Sequence, residues 1–248
     1  MAGKTYIGNS NNRSKQLLGA YYGNSNNKSK KVLKIYIGNS SNKSVKVFPS
    51  FPDAYQKCEY IYNTNGTEWI NTNIDPNSNT RILLEIELAR TFTSGSNIDF
   101  IGRQISGASA FLSYTANKGT YTCRMAWDGT NGSFSPTNDT RYVFDWNRSG
   151  GSCYVNDSLL FTATGTFANQ NQNFYLFATN INGSTSVSSS VLYRLYRFQA
   201  WQDNALICEM YPCYEKANTL NVGMYDVIRE SFYGNSGTGI FYKGPDVN

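Results

Sequence analysis

Arg81-Ile-Leu-Leu-Glu-Ile-Glu-Leu88 alternates along its whole length: Ile82, Leu84, Ile86 and Leu88 point one way, while Leu83, Glu85, Glu87 and the following Ala89 point the other. A side-chain period of two over eight residues is that of a β-strand with one buried face. Asn79-Thr80 before it and Thr91 after it bound the run. The same pattern, in shorter pieces, is readable at Glu59 to Tyr62, Glu68 to Asn71, Ile98 to Gly102, Ala110 to Tyr114, Tyr121 to Trp127, Arg141 to Trp146, Cys153 to Val155, Leu160 to Thr162, Phe174 to Ala178 and Leu192 to Trp201. Turn formers punctuate the gaps, as in Asn65-Gly66, Asp128-Gly129, Asn131-Gly132 and Asn182-Gly183. No helical periodicity of any length competes. With 19 Tyr, 14 Phe, 21 Gly and only 16% charged residues, the composition also suits strands and turns. Two packed antiparallel sheets are expected from about residue 54 to the end.

The head of the chain is different. Tyr6-Ile-Gly-Asn-Ser-Asn-Asn-Arg-Ser14, Tyr21-Tyr-Gly-Asn-Ser-Asn-Asn-Lys-Ser29 and Tyr36-Ile-Gly-Asn-Ser-Ser-Asn-Lys-Ser44 repeat one motif at a spacing of 15 residues. Each unit has a β-prone start, a polar stretch whose Asn and Ser suit a turn, and a second apolar pair, which together predict one β-hairpin. An unstructured polar linker is the alternative that composition alone would allow. Three hairpins over residues 1–48 bury too little apolar surface to stand alone, so the module is expected to lean on a neighbour, for instance in a homo-oligomer such as a trimer. Pro49 and Pro52 end the pairing, and 49–53 reads as a linker.

Charge changes at the same place. The first 48 residues carry nine Lys or Arg and no acid; the remainder carries 22 − 9 = 13 basic and all 17 acidic residues. A basic head suits a polyanionic cell-wall polymer of teichoic type or an acidic protein partner. Nucleic acid is not expected, because no groove-reading element or known motif carries the charge. Tyr6, Tyr21 and Tyr36, with Arg13, Lys28 and Lys43 at one turn position of each unit, are the candidate attachment residues.

There is no histidine, which excludes His-based triads, Cys-His dyads and imidazole acid-base work within one chain. Five cysteines, Cys58, Cys123, Cys153, Cys208 and Cys213, lack metal-site spacing and read as reduced structural thiols. No run is long and apolar enough to insert in a membrane, and the N-terminus lacks a signal-peptide core, so synthesis in a bacterial cytoplasm without export by that route is expected.

Cys58-Glu-Tyr-Ile-Tyr-Asn-Thr-Asn-Gly-Thr-Glu-Trp-Ile-Asn-Thr-Asn-Ile-Asp-Pro-Asn-Ser-Asn-Thr-Arg81 resembles the opening of the concanavalin A-like (laminin G-like) jelly-roll domains of phage and prophage tail proteins. The segment from Tyr211-Pro-Cys through Val222-Gly-Met-Tyr-Asp and Gly234-Asn-Ser-Gly-Thr-Gly239 is similar to that family's closing stretch, and the Tyr-x-Gly repeats resemble those that precede such domains. The resemblance implies a jelly-roll sandwich over 54–248 and a virion setting, in a tail or fibre, among other virion proteins. It does not name a ligand.

A lectin-like site needs an aromatic platform beside amide and carboxylate partners, because a sugar presents an apolar ring face and a rim of hydroxyls. Trp127, Asp128 and Asn131, with Tyr114 and Arg103 as companions, form the best local cluster. Trp127 as core filler beside an ordinary hairpin turn is the competing reading. Trp69 and Trp146 read as core, and Trp201, beside Gln202-Asp203-Asn204, as core or edge. The enzyme alternative, a glycan depolymerase, rests on Glu85 and Glu87 sharing a strand face; a third carboxylate is missing from the positions that follow, so no catalytic residue is assigned. Ca²⁺ could draw on Asp99, Asp128 and Asp139, but no dense acidic loop surrounds them, and neither metal nor cofactor is expected. The sequence thus predicts a receptor-binding tail protein that recognises a host surface polysaccharide; a structural fibre or decoration protein with protein contacts only is the alternative.

Overall fold

The computed structural model describes residues 6–7, 15–16, 35–38, 44–48, 51–63, 66–88, 98–105, 108–117, 121–127, 129–165, 167, 171–186 and 193–247. The chain divides into two compact units, Met1–Asp53 and Ala54–Asn248.

In the first unit β1 (Tyr6–Ile7) pairs antiparallel with β2 (Lys15–Gln16), and β3 (Ile35–Gly38) with β4 (Ser44–Phe48). The first and third repeats therefore each close a hairpin across their Asn/Ser stretch. The backbone of Tyr6 and Tyr36 lies on β1 and β3; Tyr21, Arg13, Lys28 and Lys43 fall outside the described residues.

The second unit is an all-β sandwich with no helix among its described residues. Its strands begin with β5 (Tyr55–Lys57), β6 (Ile61–Tyr62), β7 (Ile70–Asn71) and β8 (Arg81–Leu88). There follow β9 (Ile98–Ile105), β10 (Ala108–Asn117), β11 (Tyr121–Trp127), β12 (Thr130–Phe134), β13 (Thr140–Trp146), β14 (Ser152–Val155) and β15 (Ser158–Thr162). The last are β16 (Tyr175–Leu176), β17 (Thr179–Ile181), β18 (Ser184–Ser186), β19 (Tyr193–Gln202), β20 (Ala205–Glu215), β21 (Asn218–Asp226), β22 (Ser231–Tyr233) and β23 (Tyr242–Lys243). The larger sheet runs β15-β14-β13-β8-β19-β20-β21-β22, with β5, β6 and β23 joined to it; the smaller runs β12-β11-β10-β9-β16-β7, with β17 and β18 attached. The chain crosses between the sheets after β6, β7, β8, β12, β15 and β18, so each sheet is assembled from separate stretches of sequence.

The burial of β8 alternates residue by residue, and Ile82, Leu84, Ile86 and Leu88 are fully buried. They belong to one core with Phe100, Ile101, Cys123 and Met125 of the smaller sheet and Phe144, Trp146, Leu195 and Phe198 of the larger. Each such side chain contributes about 1.5–3 kcal/mol of burial free energy, which is why the strand with the clearest alternation sits centrally, between β13 and β19. All five cysteines are buried and unbridged. Trp146 is core as expected, whereas Trp69 lies just before β7, half-buried, with its ring 4.3 Å from that of Tyr175.

Two long strands, β20 and β21, have no counterpart in the sequence-derived strand list. Pro212 interrupts β20, and proline ordinarily marks a strand edge. Here its carbonyl is still used, accepting from the Cys58 amide at 3.0 Å, so the strand continues through it. Asn131-Gly132, expected as a turn, lies inside β12. A Cβ on Gly132 would come 2.7 Å from Phe161 and 2.9 Å from Leu160; the glycine is required by the close approach of β15, not by a turn.

Candidate functional site

Three tight turns meet at one end of the sandwich. The first, before β8, is an Asx-type turn: the Asn77 side chain accepts from the Asn79 amide at 2.9 Å, and the Asn77 amide donates to Thr80 Oγ1 at 2.8 Å. The second joins β13 to β14 through Asn147, Gly150 and Gly151, all with positive φ. Gly151 is held there by space as well as by conformation, since a Cβ would sit 2.9 Å from the Ala163 carbonyl oxygen. The third is the two-residue hairpin Asp203-Asn204 between β19 and β20, with φ of 50° and 63°. Positive φ at both positions is the type I′ geometry that matches strand twist and favours Asn, Asp and Gly.

Side chains lock the turns together. Asn147 Nδ2 donates to the carbonyls of Ser78 and Thr80, both at 2.9 Å, and its Oδ1 accepts from the Gly151 amide at 2.9 Å. Both of its Nδ2 hydrogens are spent on positioning. Asn79 Nδ2 donates to Asp203 Oδ1 at 2.7 Å, tying the first turn to the third. Between the turns lies a cleft of about 610 Å³, lined by Ser78, Asn79, Arg148, Ser149, Asp203 and Asn204 and floored by Trp127 and Phe167.

Trp127 ends β11, is only 3% exposed and belongs to the core, as the competing sequence reading had it, and it also lines the cleft. Its ring lies 5.0 Å from that of Phe167, and Phe167 in turn faces the Arg103 guanidinium at 5.3 Å. Arg103 corrects the sequence expectation: it is fully buried, paired with Asp75 at 2.8 Å, and lies behind Phe167 rather than among the lining residues. Burial lowers its pKa and Asp75 opposes the shift. Asn131 is exposed on β12 opposite Ala126 and also lies off the cleft lining. The backbone of Tyr114 lies on β10 opposite Arg124, which stands three residues before Trp127 in β11; the Tyr114 side chain is outside the described part of the structure. Asp128 falls outside the described residues, although the Trp127 and Thr130 pairing brackets the expected two-residue turn.

Arg148, the one cation of the lining among the described residues, is compensated. Its guanidinium reaches Asp157 at 2.7 Å and Asp145 at 3.4 Å, while Asp145 also takes both arms of Arg81, at 2.8 and 2.7 Å.

The carboxylates weighed for catalysis lie elsewhere, on the outer face of the larger sheet. Glu85 pairs with Arg141 at 2.7 Å; Glu87 accepts from Arg194 and, at 2.6 Å, from the Tyr196 hydroxyl. Neighbouring Glu209 accepts from Arg197, Tyr211 and Gln199 at 2.6, 2.7 and 2.9 Å. Burial, and then these hydrogen bonds, push the Tyr196 hydroxyl pKa up and that of Tyr211 up to about 12. Glu85 and Glu87 are thus engaged by arginine and tyrosine partners within the sheet. Among the described residues no group of three or more Cys, Asp or Glu side chains is placed to hold a metal ion; Asp139 is an exposed turn residue, and the side chains of Asp99 and Asp128 are not described.

No protein-family model matches the chain, and no curated protein is similar to it in sequence. Among solved structures, a Bacteroides ovatus protein provisionally assigned to carbohydrate binding is similar over 87% of this chain and 70% of its own, with 13% identity and a TM-score of 0.48. The Scytalido-glutamic peptidase, bound to a peptide-based transition-state analogue, is similar over 66% of this chain and 91% of its own, with 12% identity and a TM-score of 0.29. At these values neither similarity bears on what this chain binds or does.

Proposed function

We propose that the second unit is a saccharide-binding domain whose site is the rim cleft. The observation that carries the reading is the pairing of an apolar floor, Trp127 and Phe167, with the Asn79 and Asp203 pair on the wall above it. A pyranose offers an apolar C–H face to aromatic rings and adjacent hydroxyls to a donor and an acceptor. The turns that carry the polar groups are fixed by their own hydrogen bonds, which reduces the ordering cost of binding. The finer proposal is a receptor-binding protein of a phage or prophage tail. In it the sandwich meets a host surface polysaccharide, and the basic repeats meet other virion proteins or a second copy of the chain. That part rests on the family resemblance of residues 58–81 and 211–239 and on the repeats. The commitment of Glu85 and Glu87 to arginine supports binding without turnover. A glycan array probed with the full chain tests the reading: saturable binding weakened by Asn79→Ala supports it, and the absence of binding to any glycan would sink it.

A further inference from the structure

Resting on that reading, we infer that the cleft selects an uncharged saccharide and that Asp203 is its specificity-determining residue. Charge accounting carries the inference. Among the described residues, Arg148 and Asp203 are the two charged residues lining the cleft. The Arg148 cation is shared between Asp157 and Asp145, leaving little positive potential for an incoming anion. Asp203 has no such compensation: among the described residues no ion pair reaches it, and its side-chain partner is the neutral Asn79 amide, on Oδ1. The second carboxylate oxygen remains an acceptor at the cleft wall. The unneutralised charge of the cleft is therefore negative, on a unit that itself holds 13 basic and 16 acidic residues after Asp53.

A carboxylate with a free oxygen suits hydroxyl donors, and the flanking amide of Asn204 supplies a donor for the next oxygen. A phosphate- or carboxylate-bearing polymer offers acceptors where the wall already has one, and like charges in proximity cost free energy. The cleft thus excludes the teichoic-type polymers that the basic repeats would attract. If both surfaces bind, they bind different chemistries: an uncharged sugar at the rim, with little salt dependence, and polyanions at the repeats, with steep salt dependence.

Affinity electrophoresis of the full chain in native gels tests this, with dextran, mannan, laminarin and galactan as uncharged probes and polygalacturonate as the anionic one. Asp203→Asn is the informative variant, because Asn tolerates the positive φ of 50° and keeps a carbonyl for Asn79. The expected result is retardation by at least one uncharged polysaccharide, changed less than twofold between 50 and 300 mM salt and weakened about tenfold or more in Asp203→Asn, the loss appropriate to a charged acceptor. Retardation by polygalacturonate that Asn79→Ala abolishes would overturn the uncharged class while leaving a saccharide site in the cleft. Uncharged binding that Asn79→Ala weakens but Asp203→Asn leaves intact would overturn the role of Asp203. If no probe retards the chain and the array is also blank, the saccharide reading itself fails, separately from the inference on charge.

Discussion

Asn204 offers a way to separate what the cleft needs for folding from what it needs for binding. It sits at φ 63° in a two-residue hairpin whose other residue, Asp203, is at φ 50°. A left-handed conformation costs an L-residue such as Ala about 1–2 kcal/mol, costs Gly nothing, and is eased in Asn by its short polar side chain. For a domain of this size 1 kcal/mol moves Tm by about 2–4 °C. Asn204→Ala should therefore lower the melting temperature of the second unit by about 2–8 °C, while Asn204→Gly should stay within about 2 °C of the parent. Both variants remove the same side-chain amide from the cleft. A hydrogen bond to a saccharide has a net worth of about 0.5–1.5 kcal/mol, so both should bind about 2- to 12-fold more weakly. Calorimetric melting and titration with a retained polysaccharide read the two effects independently. Ala and Gly variants that melt together would show that the hairpin does not hold residue 204 at positive φ. A Gly variant that binds as the parent does would show that the Asn204 amide makes no contact with ligand.

Alkaline pH should be a specific weakness. Burial pushes the Cys58 and Cys153 thiols up to about 12, and the Cys208 and Cys213 thiols move in the same direction. A raised folded pKa contributes stability in full below the unfolded value, about 8.5, and loses it as pH climbs toward the folded one, at about 1.4 kcal/mol per thiol per pH unit. The urea midpoint should be level from pH 7 to 8 and fall steeply from 9 to 11; a level profile throughout would show that the thiols are not protected. Glu87→Gln removes the charged acceptor of the buried Tyr196 hydroxyl and of Arg194, and should cost about 1.5–3 kcal/mol, read as a lower Tm with saccharide binding unchanged. Unchanged stability would mean that Glu87 is not tied into the sheet as described. Gly237→Ala drives a Cβ into the Thr67 carbonyl oxygen, which is backbone and cannot swing aside, whereas Gly132→Ala meets only the side chains of Phe161 and Leu160. The first should lower Tm more than the second, and the reverse order would contradict the packing at the closing loop.

What the sequence made legible was local. The alternation of β8 is strict because both its neighbours and the opposite sheet read one face as core, and no long-range information is needed to see it. Trp127 followed by Asp-Gly announces a strand end and a hairpin, and the register confirms the bracket. Arg103 was misread because its counter-charge, Asp75, comes from 28 positions upstream and its aromatic partner, Phe167, from 64 positions downstream. Gly132 looked like a turn because a glycine required by a neighbouring strand is indistinguishable, in one dimension, from a glycine required by φ. The residues that form the cleft wall, Asn79, Asn147, Asp203 and Asn204, were visible only as turn formers. Nothing in the spacing shows that turns 124 residues apart meet through one hydrogen bond.

The chemistry of the cleft makes a demand on the proposed attachment role. A saccharide held by one aromatic floor and a few water-accessible hydrogen bonds gains about 0.5–1.5 kcal/mol from each bond, and association itself consumes several kcal/mol. One such cleft belongs in the millimolar to micromolar range, about −4 to −8 kcal/mol. Holding a particle to a surface at that affinity requires several clefts acting together, and linking copies raises the effective affinity by about 10²–10⁴ without any new contact. The repeats are the segment proposed to bring copies together. The solution mass of the full chain, measured beside its binding to a polysaccharide-coated surface, examines that link. Tight surface binding should come only with an oligomer; a monomer that holds the surface as tightly would contradict the argument, because a single cleft of this composition does not supply the free energy.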